Sequence, residues 1–142
     1  MSEQQASTFY EIVGGADTFR RLVDGFYARV ADDPLLREMY TDDLAAASDH
    51  LRMFLEQYWG GPRTYGELRG HPRLRMRHVP FHIDRAAHDV WLRHMRAALD
   101  DVGLPPDRDQ QLWTYLVMAA ESLINVEDEP GDPPQGRSLP LA

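Results

Sequence analysis

Residues 51–78 read LRMFLEQYWGGPRTYGELRGHPRLRMRH, and this stretch carries the most informative pattern of the chain. It begins inside an amphipathic helix whose apolar residues recur at helical spacing as far as Tyr58. The Gly-Gly-Pro at residues 60–62 ends that helix. Residues 63–80 are then rich in Gly, Pro and Arg with little periodicity. Since long loops in compact domains are usually functional or disordered, and this one holds an arginine cluster and His78, we expect it to be functional.

Outside this stretch the helical period dominates, and it predicts four main helices and no strand. The first helix follows Gly14-Gly15 and ends at Asp32-Asp33-Pro34, because proline cannot continue the hydrogen-bond ladder. A short helical turn is expected at residues 35–40, before the helix that ends near Tyr58. Asp84 is the expected N-cap of the third main helix, and a fourth follows Pro105-Pro106. The predicted fold class is all-α.

The bulk composition fits one soluble domain and excludes several kinds of site. The chain has 142 residues, a net charge of −8 and no cysteine, which disfavours nucleic acid as the main partner and excludes disulfides and thiolate metal sites. All 15 basic residues are arginine. No apolar run is long enough to span a membrane, and no secretory signal is recognisable, so a cytoplasmic location is expected. Residues 1–8 are interpreted as an extension, 9–126 as the domain, and 127–142 as a disordered acidic and Pro-rich tail.

His78 is the first candidate for chemistry, because it joins the arginine cluster to the apolar residues Val79, Pro80 and Phe81. An imidazole at the edge of an apolar pocket is a usual ligand of haem iron. The neighbouring arginines could pair with the two haem propionates. On spacing alone, a surface histidine in a basic loop is an open alternative.

Several aromatic residues with polar tips form a second candidate group. There are two alternatives for their O–H and N–H groups: each donates a hydrogen bond to a backbone carbonyl, which is the simpler one, or several converge on one ligand. They are Tyr27, Tyr40, Tyr58, Trp59, Tyr65, Trp91 and Tyr115. The remaining histidines lack the spacing of a zinc site, and no pair of Glu-x-x-His motifs indicates a di-iron bundle.

Residues 51–65 and 69–78 closely resemble the group II truncated haemoglobins of bacteria. Phe9-Tyr10 with the Val-Gly-Gly at residues 13–15 resembles that family's N-terminal pattern, and residues 89–92 resemble its next-to-last helix. The resemblance covers roughly Phe9 to Val126. It implies a truncated globin fold, which is a two-over-two helical sandwich, and haem b (iron protoporphyrin IX) as the cofactor.

The resemblance also implies roles for individual residues. His78 corresponds to the proximal iron ligand, and Tyr27, Tyr40 and Trp91 correspond to distal groups that stabilise the ligand. Ala47, placed by counting back from Leu51, takes the position where many globins have a distal histidine, and Leu51 shields the distal face. The apolar wall is expected to comprise Phe54, Leu55, Leu74, Phe81 and Met118. Candidates for propionate contacts are Tyr65, Arg69, Arg77 and His50, the last standing where the family often has arginine.

In function, the resemblance implies a haem protein that binds O2 and other diatomic ligands such as CO and NO. Distal Tyr and Trp donors would stabilise bound O2, and slow release suits oxygen chemistry or sensing better than delivery. Peroxidase activity on a bound peroxide and nitric oxide detoxification are candidate reactions; an unidentified reductase and a homodimer are candidate partners. The alternatives are a haem-based gas or redox sensor acting through a protein partner, and a helical interaction protein without a cofactor.

Overall fold

The computed structural model describes residues 7–40, 43–70 and 83–124, and every regular element in these ranges is an α-helix. The elements are α1 (Phe9–Ile12), α2 (Gly15–Ala31), α3 (Pro34–Arg37), α4 (Leu44–Tyr58), α5 (Thr64–Arg69), α6 (Arg85–Val102) and α7 (Pro106–Ser122). The predicted all-α class is therefore confirmed. Within the same ranges, no helix combines the length and the apolar character that crossing a membrane requires.

The helix ends follow the capping residues of the sequence. Asp84 caps α6 as predicted, its carboxylate accepting from the Ala87 N–H at 2.9 Å. Asp33 caps α3 in the same way, accepting from the Leu35 N–H at 2.9 Å. Gly14 precedes α2 with φ +116°, and a Cβ there would lie 2.4 Å from the Thr18 hydroxyl oxygen, so both backbone and space require glycine.

Part of the predicted long loop is helical, which corrects the sequence interpretation of residues 63–80. Helix α5 occupies Thr64–Arg69 and ends at Gly70, where φ is +75°. The Gly66 N–H donates to the Gln57 side-chain oxygen at 2.7 Å, which ties α5 to the end of α4. Six residues are too few to show a helical period, so this helix could not be recognised from apolar spacing. The rest of the predicted loop lies outside the described residues.

The core is organised around α2, which packs against both α4 and α6, while α6 also packs against α7. Among the described helices, α2 and α6 therefore pack against each other, with α4 beside α2 and α7 beside α6. Apolar residues spaced three and four apart on α2 have no exposed surface, as an amphipathic helix at the centre of a fold requires. They are Phe19, Leu22, Val23, Phe26 and Val30. Met95 and Leu99 of α6 and Leu112 of α7 complete this core.

Candidate ligand-binding cavity

An apolar cavity of about 890 Å³, including its open mouth, lies among α3, α4, α6 and α7. Apolar side chains make up most of its wall because each of these helices turns its apolar face inward. The described residues that line it are Leu36, Met39, Tyr40, Leu51, Phe54, Leu55, Ile83, Ala87, His88, Trp91, Tyr115, Leu116, Ala119, Ala120 and Leu123. Polar groups are few, as expected where ligand pockets use a small number of them to fix orientation.

Tyr27, Tyr40 and Trp91, here called the distal triad, come together from three parts of the chain. Tyr40 follows α3 and Trp91 lies on α6, and both line the cavity. Tyr27 of α2 is 9% exposed and packs behind Tyr40, with the two ring centroids 5.5 Å apart and nearly perpendicular. Phe26 supports the group from the core: its ring centroid lies 4.9 Å from that of Tyr27 and 5.1 Å from that of Trp91. The three residues form one cluster at one side of the cavity.

Hydrogen bonds connect the distal triad through Tyr40, which bonds both Tyr27 and Trp91. Burial is the main cause that raises the pKa of both tyrosines. The charge interaction and the hydrogen bond with Tyr40 raise the pKa of Tyr27 further, whereas the hydrogen bonds with Tyr27 and Trp91 oppose the rise in the pKa of Tyr40. The indole N–H of Trp91 can only donate, so Tyr40 accepts that bond as a neutral phenol, and a phenol that accepts can still donate its own proton to another partner.

Helix α4 supplies part of the apolar wall that the sequence predicts. Leu51, Phe54 and Leu55 line the cavity. Ala47, one turn earlier, is partly buried and packs against the core rather than lining the cavity. With a methyl group at Ala47 and an isobutyl group at Leu51, these two positions offer no side-chain hydrogen-bond donor.

Met118 does not form part of the wall, and the sequence interpretation is wrong at this position. Its side chain is 66% exposed. The inward face of α7 instead carries Leu116, Ala119 and Ala120, which line the cavity. Because successive helical residues are rotated by about 100°, Met118 lies on the opposite side of α7 from this face.

The predicted propionate contacts His50, Tyr65 and Arg69 are brought together where α4 meets α5. An Arg69 guanidinium nitrogen (Nη1) lies 3.2 Å from His50 Nε2, and since arginine has no acceptor, this imidazole nitrogen accepts. The Arg69 guanidinium also lies 5.8 Å from the centroid of the buried Tyr65 ring. These three residues are not among those that line the cavity; they form a separate group that includes a fixed positive charge.

Four predicted site residues, His78, Arg77, Leu74 and Phe81, lie outside the described residues. Within the described ranges, no group of three or more His, Asp or Glu side chains could hold a metal ion. The proximal ligand assigned to His78 therefore stays a prediction.

His88 lines the cavity although sequence reasoning assigned it no role there, and Tyr115 lines it although sequence reasoning placed it only in the wider group of polar-tipped aromatic residues. His88 is 7% exposed, with Nδ1 2.8 Å from the Asp89 carboxylate; Nε2 lies 3.2 Å from a Glu121 oxygen, in a geometry that is not that of a hydrogen bond. The hydrogen bond from Arg85 is the main cause that lowers the pKa of Glu121. The spacing of three between His88 and Trp91, and of four between Tyr115 and Ala119, is the signal that places both residues on inward helix faces.

Comparison with known proteins agrees with this geometry. Residues 8–125 match the family described as bacterial-like globin. The chain is 41% identical to the group 2 truncated hemoglobin YjbI of Bacillus subtilis over 82% of this chain and 87% of that protein.

Solved structures give the same result. The thermostable hemoglobin of Thermobifida fusca is 60% identical with a TM-score of 0.83, over 84% of this chain and 98% of that one. The group II truncated hemoglobin of Bacillus anthracis is 36% identical with a TM-score of 0.85, over 92% and 100% of the two chains. These matches confirm the predicted two-over-two sandwich, and the chain belongs to the bacterial-like globins, among the group II truncated haemoglobins.

Proposed function

We propose that this chain binds haem in the apolar cavity and stabilises O2 there through a hydrogen bond donated by Tyr40. Haem-based binding of gases is the property of the family, whose members bind O2 and other diatomic ligands. The observation that carries the finer proposal is the distal triad, in which Tyr27 and Trp91 both bond Tyr40 at the wall of a cavity that is otherwise apolar.

The residues present fit haem, which presents a broad apolar ring and two carboxylates. Leu51, Phe54 and Leu55 would pack against the ring, and the cationic group around Arg69 would attract a propionate. His78 is the proposed proximal ligand, as the resemblance implies. When bound, haem supplies the iron atom to which a diatomic ligand attaches.

The distal triad divides the work of holding a ligand between a direct donor and its supports. Tyr40 lines the cavity, and its O–H is available to donate to a ligand. Tyr27 lies behind Tyr40 and orients the Tyr40 hydroxyl. Trp91 also lines the cavity and supports Tyr40 from α6. A hydrogen bond to a ligand with partial negative charge contributes roughly 1.5–3 kcal/mol. Because α4 offers no donor at Ala47 or Leu51, this stabilisation rests on the triad.

The test is haem uptake followed by stopped-flow measurement of O2 dissociation. The wild type should show a Soret band, and Tyr40→Phe should release O2 roughly tenfold to a hundredfold faster, the equivalent of one such bond. Trp91→Phe should accelerate release less, and Tyr27→Phe least, because both act largely through Tyr40. Tyr10→Phe is the matched control, since this tyrosine stacks on Phe19 away from the cavity lining.

Two outcomes would contradict the proposal. A protein that stays colourless after reconstitution does not bind haem, and a haem-loaded Tyr40→Phe variant with the wild-type rate removes Tyr40 as donor. Peroxidase activity, nitric oxide detoxification, the sensor alternative, the reductase and the homodimer stay predictions from the resemblance.

A further inference from the structure

A pair of stacked tyrosines connects the cavity to the protein surface. Tyr115 of α7 lines the cavity, and its ring lies 4.2 Å from that of Tyr58 at the end of α4, with the planes inclined by 29°. Tyr58 is 54% exposed. Tyr58 and Tyr115, here called the tyrosine stack, therefore lead from the ligand cavity to solvent through two rings in contact.

Aromatic neighbours hold the tyrosine stack in place. The Trp59 ring lies edge-on to both members of the stack, with centroid distances of 5.2 Å to Tyr58 and 5.6 Å to Tyr115. Phe9 of α1 packs on Trp59, with ring centroids 4.3 Å apart. The Tyr10 N–H donates to the Trp59 carbonyl at 2.9 Å, which fixes α1 against the end of α4. Edge-to-face and offset contacts of this kind fix ring orientation beyond what burial alone gives. Tyr58 is therefore an exposed side chain whose ring orientation is fixed by its aromatic neighbours.

We propose that Tyr58 is a surface site of one-electron oxidation, connected to the haem cavity by Tyr115, at which phenols too bulky for the cavity are oxidised. This inference rests on the proposed haem binding. It assigns a second, external site to the chain, with hydrogen peroxide as the oxidant that enters the cavity and a phenol as the electron donor outside.

The overall reaction conserves electrons and protons. In the balanced reaction, one hydrogen peroxide accepts two electrons and two protons from two phenols and gives two water molecules. Haem, when bound, would supply the redox centre at which peroxide reacts, and side chains of this protein would carry each oxidising equivalent to the surface. Each is passed on when Tyr115 gives up an electron and its phenolic proton, and Tyr58 then restores Tyr115 by the same transfer. Tyr58 regains an electron and a proton from a phenol at the surface, so that one peroxide converts two phenols into two phenoxyl radicals.

The local chemistry favours Tyr58 rather than Trp59 as the end of this route. Burial, and then the nearby Tyr58 hydroxyl, raise the pKa of Tyr115, so both electron and proton must leave it when it is oxidised. The buried Trp59 indole N–H has no hydrogen-bond partner among the described residues, and hence no acceptor for its proton. Tyr58, being exposed, can pass its proton to water.

The experiment treats the haem-loaded protein with hydrogen peroxide in the presence of a nitrone spin trap and maps the adducts by peptide mass spectrometry. We expect a Tyr58 adduct in the wild type and its loss in Tyr115→Phe, which keeps the Tyr58 phenol intact. Tyr58→Phe should lose oxidation of a phenol coupled to a bulky polymer while retaining oxidation of free phenol. Tyr10→Phe should match the wild type in both measurements.

The outcomes separate this inference from the haem proposal. Absence of a Soret band overturns both. A Soret band with peroxide consumption but no Tyr58 adduct overturns the surface site alone, and so does a Tyr58 adduct of wild-type yield in Tyr115→Phe. Because Tyr→Phe keeps the ring and its packing, circular dichroism and an unchanged Soret band verify that each variant is folded and loaded.

Discussion

The distal triad and the tyrosine stack both reach the same cavity, but they join their aromatic residues differently. In the triad the polar tips meet: Tyr40 bonds Tyr27 and Trp91, and burial keeps the phenols neutral. In the stack the rings meet face to face, and Tyr58 is 54% exposed. Hydrogen bonds between polar side-chain groups orient a proton donor towards a ligand in the cavity. Stacked rings, one of them exposed, are instead suited to transferring electrons to a molecule at the protein surface.

The largest expected effect tests whether the triad depends on the core. Phe26 has no exposed surface and contacts Tyr27 and Trp91, so Phe26→Ala should destabilise the protein by about 3–5 kcal/mol. Urea unfolding of the haem-free protein measures this loss. Phe26→Leu is the matched variant and should cost less than about 1.5 kcal/mol, because it largely conserves volume. A loss below about 1.5 kcal/mol in Phe26→Ala as well would show that the core closes around the missing ring and that the contacts of Phe26 with the triad contribute little.

A smaller effect concerns the Asp33–His94 contact, which ties α3, and with it the segment that carries Tyr40, to α6. The Asp33 carboxylate lies 2.6 Å from His94 Nε2, and this hydrogen bond is the main cause that lowers the Asp33 pKa from its ordinary 3.8. A lowered pKa means that the ionised carboxylate stabilises the fold above this ordinary value, and that the contribution is lost as the pH falls through the folded value.

Asp33→Asn, which retains a good N-cap, should therefore cost about 1 kcal/mol near neutral pH. The difference from the wild type should shrink once the pH is below 3.8. Denaturant unfolding over a pH series measures this. Asp17→Asn serves as the control, because the Asp17 side chain is 71% exposed in its pair with Arg21, and such surface changes stay within about 0.5 kcal/mol. A loss independent of pH would show that the charge of Asp33 is not what matters.

The smallest expected effect isolates the stack from the triad. Tyr58→Phe removes one exposed hydroxyl, so unfolding free energy should change by less than about 0.5 kcal/mol. The O2 dissociation rate of the haem-loaded variant should equal that of the wild type. If Tyr58→Phe released O2 as fast as Tyr40→Phe, the tyrosine stack would also control ligand release, and the two aromatic groups would not have separate roles.

Much of the fold could be predicted from local patterns. Apolar spacing predicts helices α2, α4, α6 and α7, and capping chemistry predicts Asp84 as the N-cap of α6. Both signals can be read from the sequence because they depend on neighbours along the chain. Helix α5 was missed since six residues show no period. Met118 was misplaced because its apolar character alone does not show that it is buried, and it lies on the outward side of α7.

The candidate site divides in the same way. The sequence by itself determined which residue types are available: polar-tipped aromatics, a basic group around Arg69, and no donor at Ala47 or Leu51. Only the tertiary structure decided that Tyr40 forms hydrogen bonds with both Tyr27 and Trp91, and that Tyr115 stacks on Tyr58. The physical reason is that these contacts join elements far apart in the chain, and helix packing, rather than local spacing, sets which side chains meet.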